Sequence, residues 1–162
     1  MTGEIVGRKN CYWGNLQTLT IAGYTFIVVS CGIMVDASHT VLIVEDQQFL
    51  SSILKSRLER DGVQVAQAFD GDAALQYLES TKPGVIVLDL IMPKVSGFEV
   101  LQAIAMNQQL NTIPVLVLSN LAQDEDVNKA KQYGVKEYFV KVRNPVEALV
   151  QRIKAYLPPP TP

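Results

Sequence analysis

Glu45 and Asp46 follow the run VLIV, Asp89 follows VIVL, Ser119 closes PVLVLS, and Lys141 follows EYFV. An unpaired carboxylate at the end of a buried run costs solvation and returns nothing, so Asp89 needs a purpose. Three neighbouring carboxylates repel one another, and either their pKa values rise or a cation sits among them. Oxygen donors without His or Cys suit a hard cation. Mg²⁺ takes one or two carboxylates, with waters and substrate phosphate completing its shell. A carboxylate beside such an ion can attack phosphorus and form an acyl phosphate. The transferred group then needs its oxygens neutralised by the metal and by Lys141, with a hydrogen bond from Ser119. On this reading Asp89 is a phosphoryl acceptor.

These residues can converge only if the chain brings the ends of its apolar runs to one edge. VLIVE (41–45), VQVAQA (63–68), VIVLD (85–89), PVLVLS (114–119) and EYFVK (137–141) are short and rich in Val and Ile, as buried strands are. Helical spacing fills the gaps. A first helix from about Gln47 to Arg60 offers Leu50, Ile53, Leu54 and Leu58 for burial, with Gly62 as its stop. The last presents Val146, Leu149, Val150, Ile153 and Leu157 as one stripe, behind Asn144 as N-cap and Pro145 at the first helical position. Five strands alternating with five helices predict an α/β fold, a parallel sheet covered on both faces. In such sheets sites form outside the carboxyl ends of the strands. All five named positions lie there.

The motifs VLIVED, VIVLDLIMPKVSGFEVL, PVLVLSN and EYFVK, in this order and spacing, resemble the receiver domains of two-component response regulators, here over residues 40–157. The resemblance implies a flavodoxin-like (βα)5 doubly wound sheet with strand order 2-1-3-4-5. It implies that Glu45, Asp46, Asp89 and the backbone carbonyl of Ile91 hold Mg²⁺, that Asp89 is phosphorylated, and that Lys141 binds the phosphoryl group. Ser119 matches the switch hydroxyl and Tyr138 the switch aromatic. Their movement would alter the face made by the fourth helix, fifth strand and fifth helix, as a shift between two packings. The implied partners are a sensor histidine kinase or phosphotransfer protein and an unidentified downstream protein. Such a chain catalyses only its own phosphorylation and dephosphorylation and is not a metabolic enzyme. One departure stands out: the family follows its lysine with proline through a cis bond, whereas Val142 follows Lys141 here. A cis bond before Val142 would cost about 2.5–4 kcal/mol, so a trans bond and a differently held loop are expected.

Composition bounds the rest. With 162 residues, 48% of them hydrophobic, and a net charge of −2, the chain has room for one domain with a core. No cluster of Lys and Arg marks a nucleic-acid surface. Both cysteines, Cys11 and Cys31, fall near the start, so a reduced, cytoplasmic domain, monomeric or weakly dimeric, is expected. Residues 1–39 read as an N-terminal extension, and 158–162 as a loose Pro-rich tail. Within the extension, LTIAGYTFIVVSCGIMV (19–35) allows three readings. It is slightly short for a membrane anchor, which needs about 20 apolar residues, and it partly fits a signal peptide. The favoured reading places the natural start at Met34, with the preceding residues upstream of it. Only about twenty residues follow the last strand, which predicts a stand-alone domain without a fused output module.

Two rivals differ in class. A pseudo-receiver would use the fold as a phosphorylation-independent interaction module, and Val142 in place of proline keeps that reading open. A Mg²⁺-dependent phosphatase would need a second acid two residues past its nucleophile to protonate the leaving group, and that position is Ile91.

Overall fold

In the computed structural model, the described residues are 17–21, 24–28 and 34–158. The remainder of the extension, and the tail apart from Pro158, lie outside them. Strands β1 (Gln17–Ile21), β2 (Tyr24–Val28) and β3 (Met34–Asp36) form an antiparallel sheet in that order. The described part of the 19–35 run is therefore strand, not the helix a membrane anchor would require. No helix among the described residues is long and apolar enough to cross a membrane.

From Thr40 the alternation is regular: β4 (Thr40–Val44), α1 (Gln48–Arg60), β5 (Gln64–Ala68), α2 (Gly71–Ser80), β6 (Val85–Leu88), α3 (Gly97–Met106), β7 (Val115–Ser119), α4 (Asp124–Gln132), β8 (Glu137–Val140) and α5 (Val146–Tyr156). The five strands pair in parallel in the order β5-β4-β6-β7-β8. Counted within this sheet the order is 2-1-3-4-5, the doubly wound flavodoxin-like arrangement that the motifs imply. Each strand matches its predicted run to within a residue or two.

Side chains alternate across the sheet because a strand has a period of two. Leu42, Val44, Ile86, Leu88, Val115 and Val117 point to one face, where α2, α3 and α4 cover them. Val41, Ile43, Val85, Val87, Leu116 and Leu118 point to the other, under α1 and α5. Each such side chain, when fully buried, contributes about 1.5–3 kcal/mol. The predicted stripes serve these layers: Leu54 and Leu58 of α1, and Leu149, Val150 and Ile153 of α5, are buried. Gly62 ends α1 with φ +82, the left-handed conformation that a helix stop favours. The α4 stripe is thin, and Ala130 is its single buried residue.

The predicted cap of α5 is a correction. Pro145 occupies the N-cap, no side chain caps the helix, and Asn144 turns its amide back onto the Val140 carbonyl instead. The sequence reading also passed over a full capping box on α3. Ser96 Oγ accepts from the Glu99 N–H, and Glu99 accepts from the Ser96 N–H. Its signal, S-x-x-E before an apolar run, is present in SGFE.

On the β8–α5 side, Glu137 accepts from Arg152 and from the Tyr156 hydroxyl. The bond from Arg152 holds the Glu137 carboxyl below its ordinary value of 4.5. A carboxyl lowered on folding stabilises the native state above its unfolded pKa and loses that contribution as pH falls through the folded value. Glu137→Gln is therefore expected to cost stability at neutral pH. Urea unfolding should show the gap to wild type closing as pH drops below about 4.

Candidate functional site

The carboxyl ends of β4, β6, β7 and β8 meet at one edge, because Val44 pairs with Leu88 and Ser119 with Val140 across the ladder. Asp89 follows β6 directly and is 3% exposed. Its Oδ2 accepts from Lys141 Nζ at 2.6 Å, and its Oδ1 from the Ile91 N–H at 3.0 Å. Glu45, after β4, is 2% exposed and accepts from the same ammonium at 2.8 Å. Burial pushes the Glu45 carboxyl up, and the Lys141 contact only partly offsets that. For Lys141, burial works against the charge, but the hydrogen bonds it donates to Asp89 and Glu45 outweigh it and hold the ammonium above its ordinary value. The lysine stays charged between two carboxylates.

Asp46 completes a cluster in which one carboxylate oxygen each from Glu45, Asp46 and Asp89 lie within 4.8 Å of one another. Asp46 Oδ1 is buried and has no hydrogen-bond partner. A buried anionic oxygen without a donor is costly, and a hard cation held by oxygen ligands removes the cost. The donor set therefore fits Mg²⁺. Ile91 sits at the site through its backbone, while its side chain is half-exposed.

Ser119 ends β7 fully buried, its Oγ accepting from the Leu121 N–H at 3.4 Å. Tyr138, on β8, donates its hydroxyl to the Leu121 carbonyl at 3.0 Å. The predicted hydroxyl and aromatic thus share one loop residue. Burial raises the Tyr138 phenol, helped by nearby Asp126. Six of the seven predicted positions lie at this edge, and Tyr138, within β8, reaches the adjoining loop through its hydroxyl.

Two supports of the site were missed. The loop after Asp89 is clamped to α2: Lys94, at φ 65 the sole non-glycine with positive φ among the described residues, bonds Asp70 at 2.6 Å. Asp70 is also the N-cap of α2, accepting from the Ala73 N–H. Gly97 is the other support. A Cβ there would stand 2.1 Å from the Asp89 carbonyl oxygen and 2.6 Å from Leu90 Cα. Both obstacles are backbone and cannot swing aside. Gly97→Ala is expected to destabilise by about 1–3 kcal/mol, read as a lower urea midpoint at unchanged slope.

Residues 41–154 match the response regulator receiver domain model. Among curated proteins, the alkaline phosphatase synthesis transcriptional regulatory protein PhoP of Bacillus subtilis is 37% identical over 119 residues, 72% of this chain and 48% of that protein. The chain spans about half the length of the curated relatives it matches. The expectation of no nucleic-acid partner did not foresee a transcriptional regulator among them. Among solved structures, chemotaxis protein CheY4 of Vibrio cholerae is 29% identical with TM-score 0.67, covering 73% of this chain and 98% of that one. The Mn²⁺-bound form of response regulator Rcp1 is 32% identical with TM-score 0.66, covering 76% and 97%. With its fold, its acidic edge and the matched residues in agreement, the chain belongs to the response regulator receiver domain family of two-component signalling.

Proposed function

We propose that this chain accepts a phosphoryl group on Asp89 from a phosphohistidine, on a sensor histidine kinase or a phosphotransfer protein. The observation that carries the reading is a buried carboxylate fixed by Lys141 Nζ and the Ile91 N–H beside two further acids. A carboxylate oxygen of Asp89 attacks phosphorus, the P–N bond breaks, and the imidazole leaves with its electron pair. Lys141 would neutralise a phosphoryl oxygen, and Ser119 would donate a hydrogen bond to another. Glu45, Asp46 and Asp89, with the Ile91 carbonyl that the resemblance adds, would hold Mg²⁺, which when bound would neutralise charge at the phosphoryl oxygens. On this proposal the chain catalyses only its own phosphorylation and dephosphorylation.

Output follows through the loop that Ser119 and Tyr138 share. Drawing the Ser119 hydroxyl toward a phosphoryl oxygen removes its oxygen from the Leu121 N–H, and the Tyr138 hydroxyl is bonded to the same residue. The face made by α4, β8 and α5 would then offer a downstream protein a phosphorylation-dependent surface.

The test is intact-protein mass after incubation with acetyl phosphate. One phosphoryl group is expected with Mg²⁺ present and none after EDTA. A chain that binds Mg²⁺ yet gains no mass would overturn the proposal in favour of the pseudo-receiver.

A further inference from the structure

Lys141 is followed by Val142, not by the proline that the resemblance implies. Val142 is 82% exposed, and no peptide bond among the described residues is cis. Lys141 nevertheless reaches both Asp89 and Glu45, so something else fixes the turn. Its start is held by the Lys141 N–H, which donates to the Ser119 carbonyl at 3.0 Å. Its return converges on the carbonyl of Val140, the last residue of β8. That oxygen accepts from the Arg143 N–H at 2.9 Å, the Asn144 N–H at 3.1 Å and Asn144 Nδ2 at 3.1 Å.

Arg143 contributes only backbone here, and Val142 none of these bonds. Asn144 alone among residues 142–144 closes the turn with its side chain. It also lines, with the Lys141 side chain, Leu50, Leu118, Val146 and Leu149, a cavity of about 30 Å³. A looser turn would let the lysine move, and a buried ammonium displaced by about an ångström would lose good geometry to both carboxylates.

We propose that Asn144 is the positioning residue for Lys141, its amide on the Val140 carbonyl closing the turn that follows the lysine. The inference rests on the phosphoacceptor reading for its effect on rate, but its geometric claim is independent of it. The series Asn144→Ser, Asn144→Ala and Asn144→Asp tests it, because serine keeps a donor toward the carbonyl four residues back, alanine removes it, and aspartate opposes an oxygen with an oxygen.

Two readouts are needed. The first is the rate of acyl phosphate formation with acetyl phosphate and saturating Mg²⁺, where about a tenfold loss is expected for alanine, more for aspartate, and little for serine. The second is the ammonium NMR signal of Lys141, assigned by its disappearance in Lys141→Arg. It should be protected from exchange in wild type and in the serine variant, and lost in the other two. A merely structural role for Asn144 would lower stability without moving this signal selectively. An unchanged Lys141 signal in the alanine and aspartate variants overturns the inference, as do rates equal to wild type in a chain that is phosphorylated. If wild type forms no adduct at all, the phosphoacceptor reading fails, and the ammonium signal alone decides the role of Asn144.

Discussion

Substituting asparagine for Asp89 is expected to abolish the proposed phosphoryl acceptance while leaving the chain folded. The amide oxygen can still accept from the Ile91 N–H, so the backbone of the loop keeps its 3.0 Å anchor. What disappears is the nucleophile, because an amide lacks the anionic oxygen that forms the acyl phosphate. Removing a nucleophile typically costs far more than removing any group that merely stabilises charge, and a loss of at least about 10³-fold is expected. Intact mass with acetyl phosphate and Mg²⁺ should show no adduct, and thermal or urea unfolding should remain cooperative. An adduct of wild-type size in Asp89→Asn would mean that another side chain is the acceptor.

The second large effect is on stability. Lys141 Nζ is the shared partner of two carboxylates, each no more than 3% exposed. Its removal strands both anions in a poorly solvated site. The pair was costly to bury in the first place, but deleting one side leaves the penalty without the attraction. Breaking a buried ion pair in this way costs about 3–5 kcal/mol, and Lys141→Met is expected to fall in that range by urea unfolding in EDTA. Adding Mg²⁺ should recover part of the loss, since a cation that binds only the native state stabilises it by mass action. A loss below about 1 kcal/mol would show that the ammonium is far better solvated than its 9% exposure implies.

The legible parts of the molecule were those in which local sequence and tertiary demand agree. Strands β4, β6 and β7 are unbroken aliphatic runs because both faces of a parallel sheet are covered, and their ends could be named from composition alone. Once the strands were placed, the rule that sites lie at their carboxyl ends collected Glu45, Asp46, Asp89, Ser119 and Lys141 without any further signal.

The misreadings have physical causes. In NPVE, Asn before Pro is a good N-cap pattern, yet the turn after Lys141 brings the Val140 carbonyl within reach of the same amide. A hydrogen bond within the preceding turn displaced the helix cap. The Asp70–Lys94 pair joins residues on different elements and leaves no periodic trace. In the 19–35 run, apolarity alone does not separate helix from strand. The Thr, Ile and Val of LTI and YTFIV carry the strand preference, against the anchor, one of three open readings and not the favoured one.

The most direct measurement of the central claim is chemical mapping of the phosphorylated residue. Borohydride reduces an aspartyl phosphate to homoserine, which peptide mass spectrometry locates. With acetyl phosphate and Mg²⁺, homoserine is predicted at position 89 and nowhere else, and EDTA should prevent its formation. Homoserine at Asp46, or no reduction product in a chain that carries bound Mg²⁺, would contradict the assignment of Asp89 as the phosphoryl acceptor.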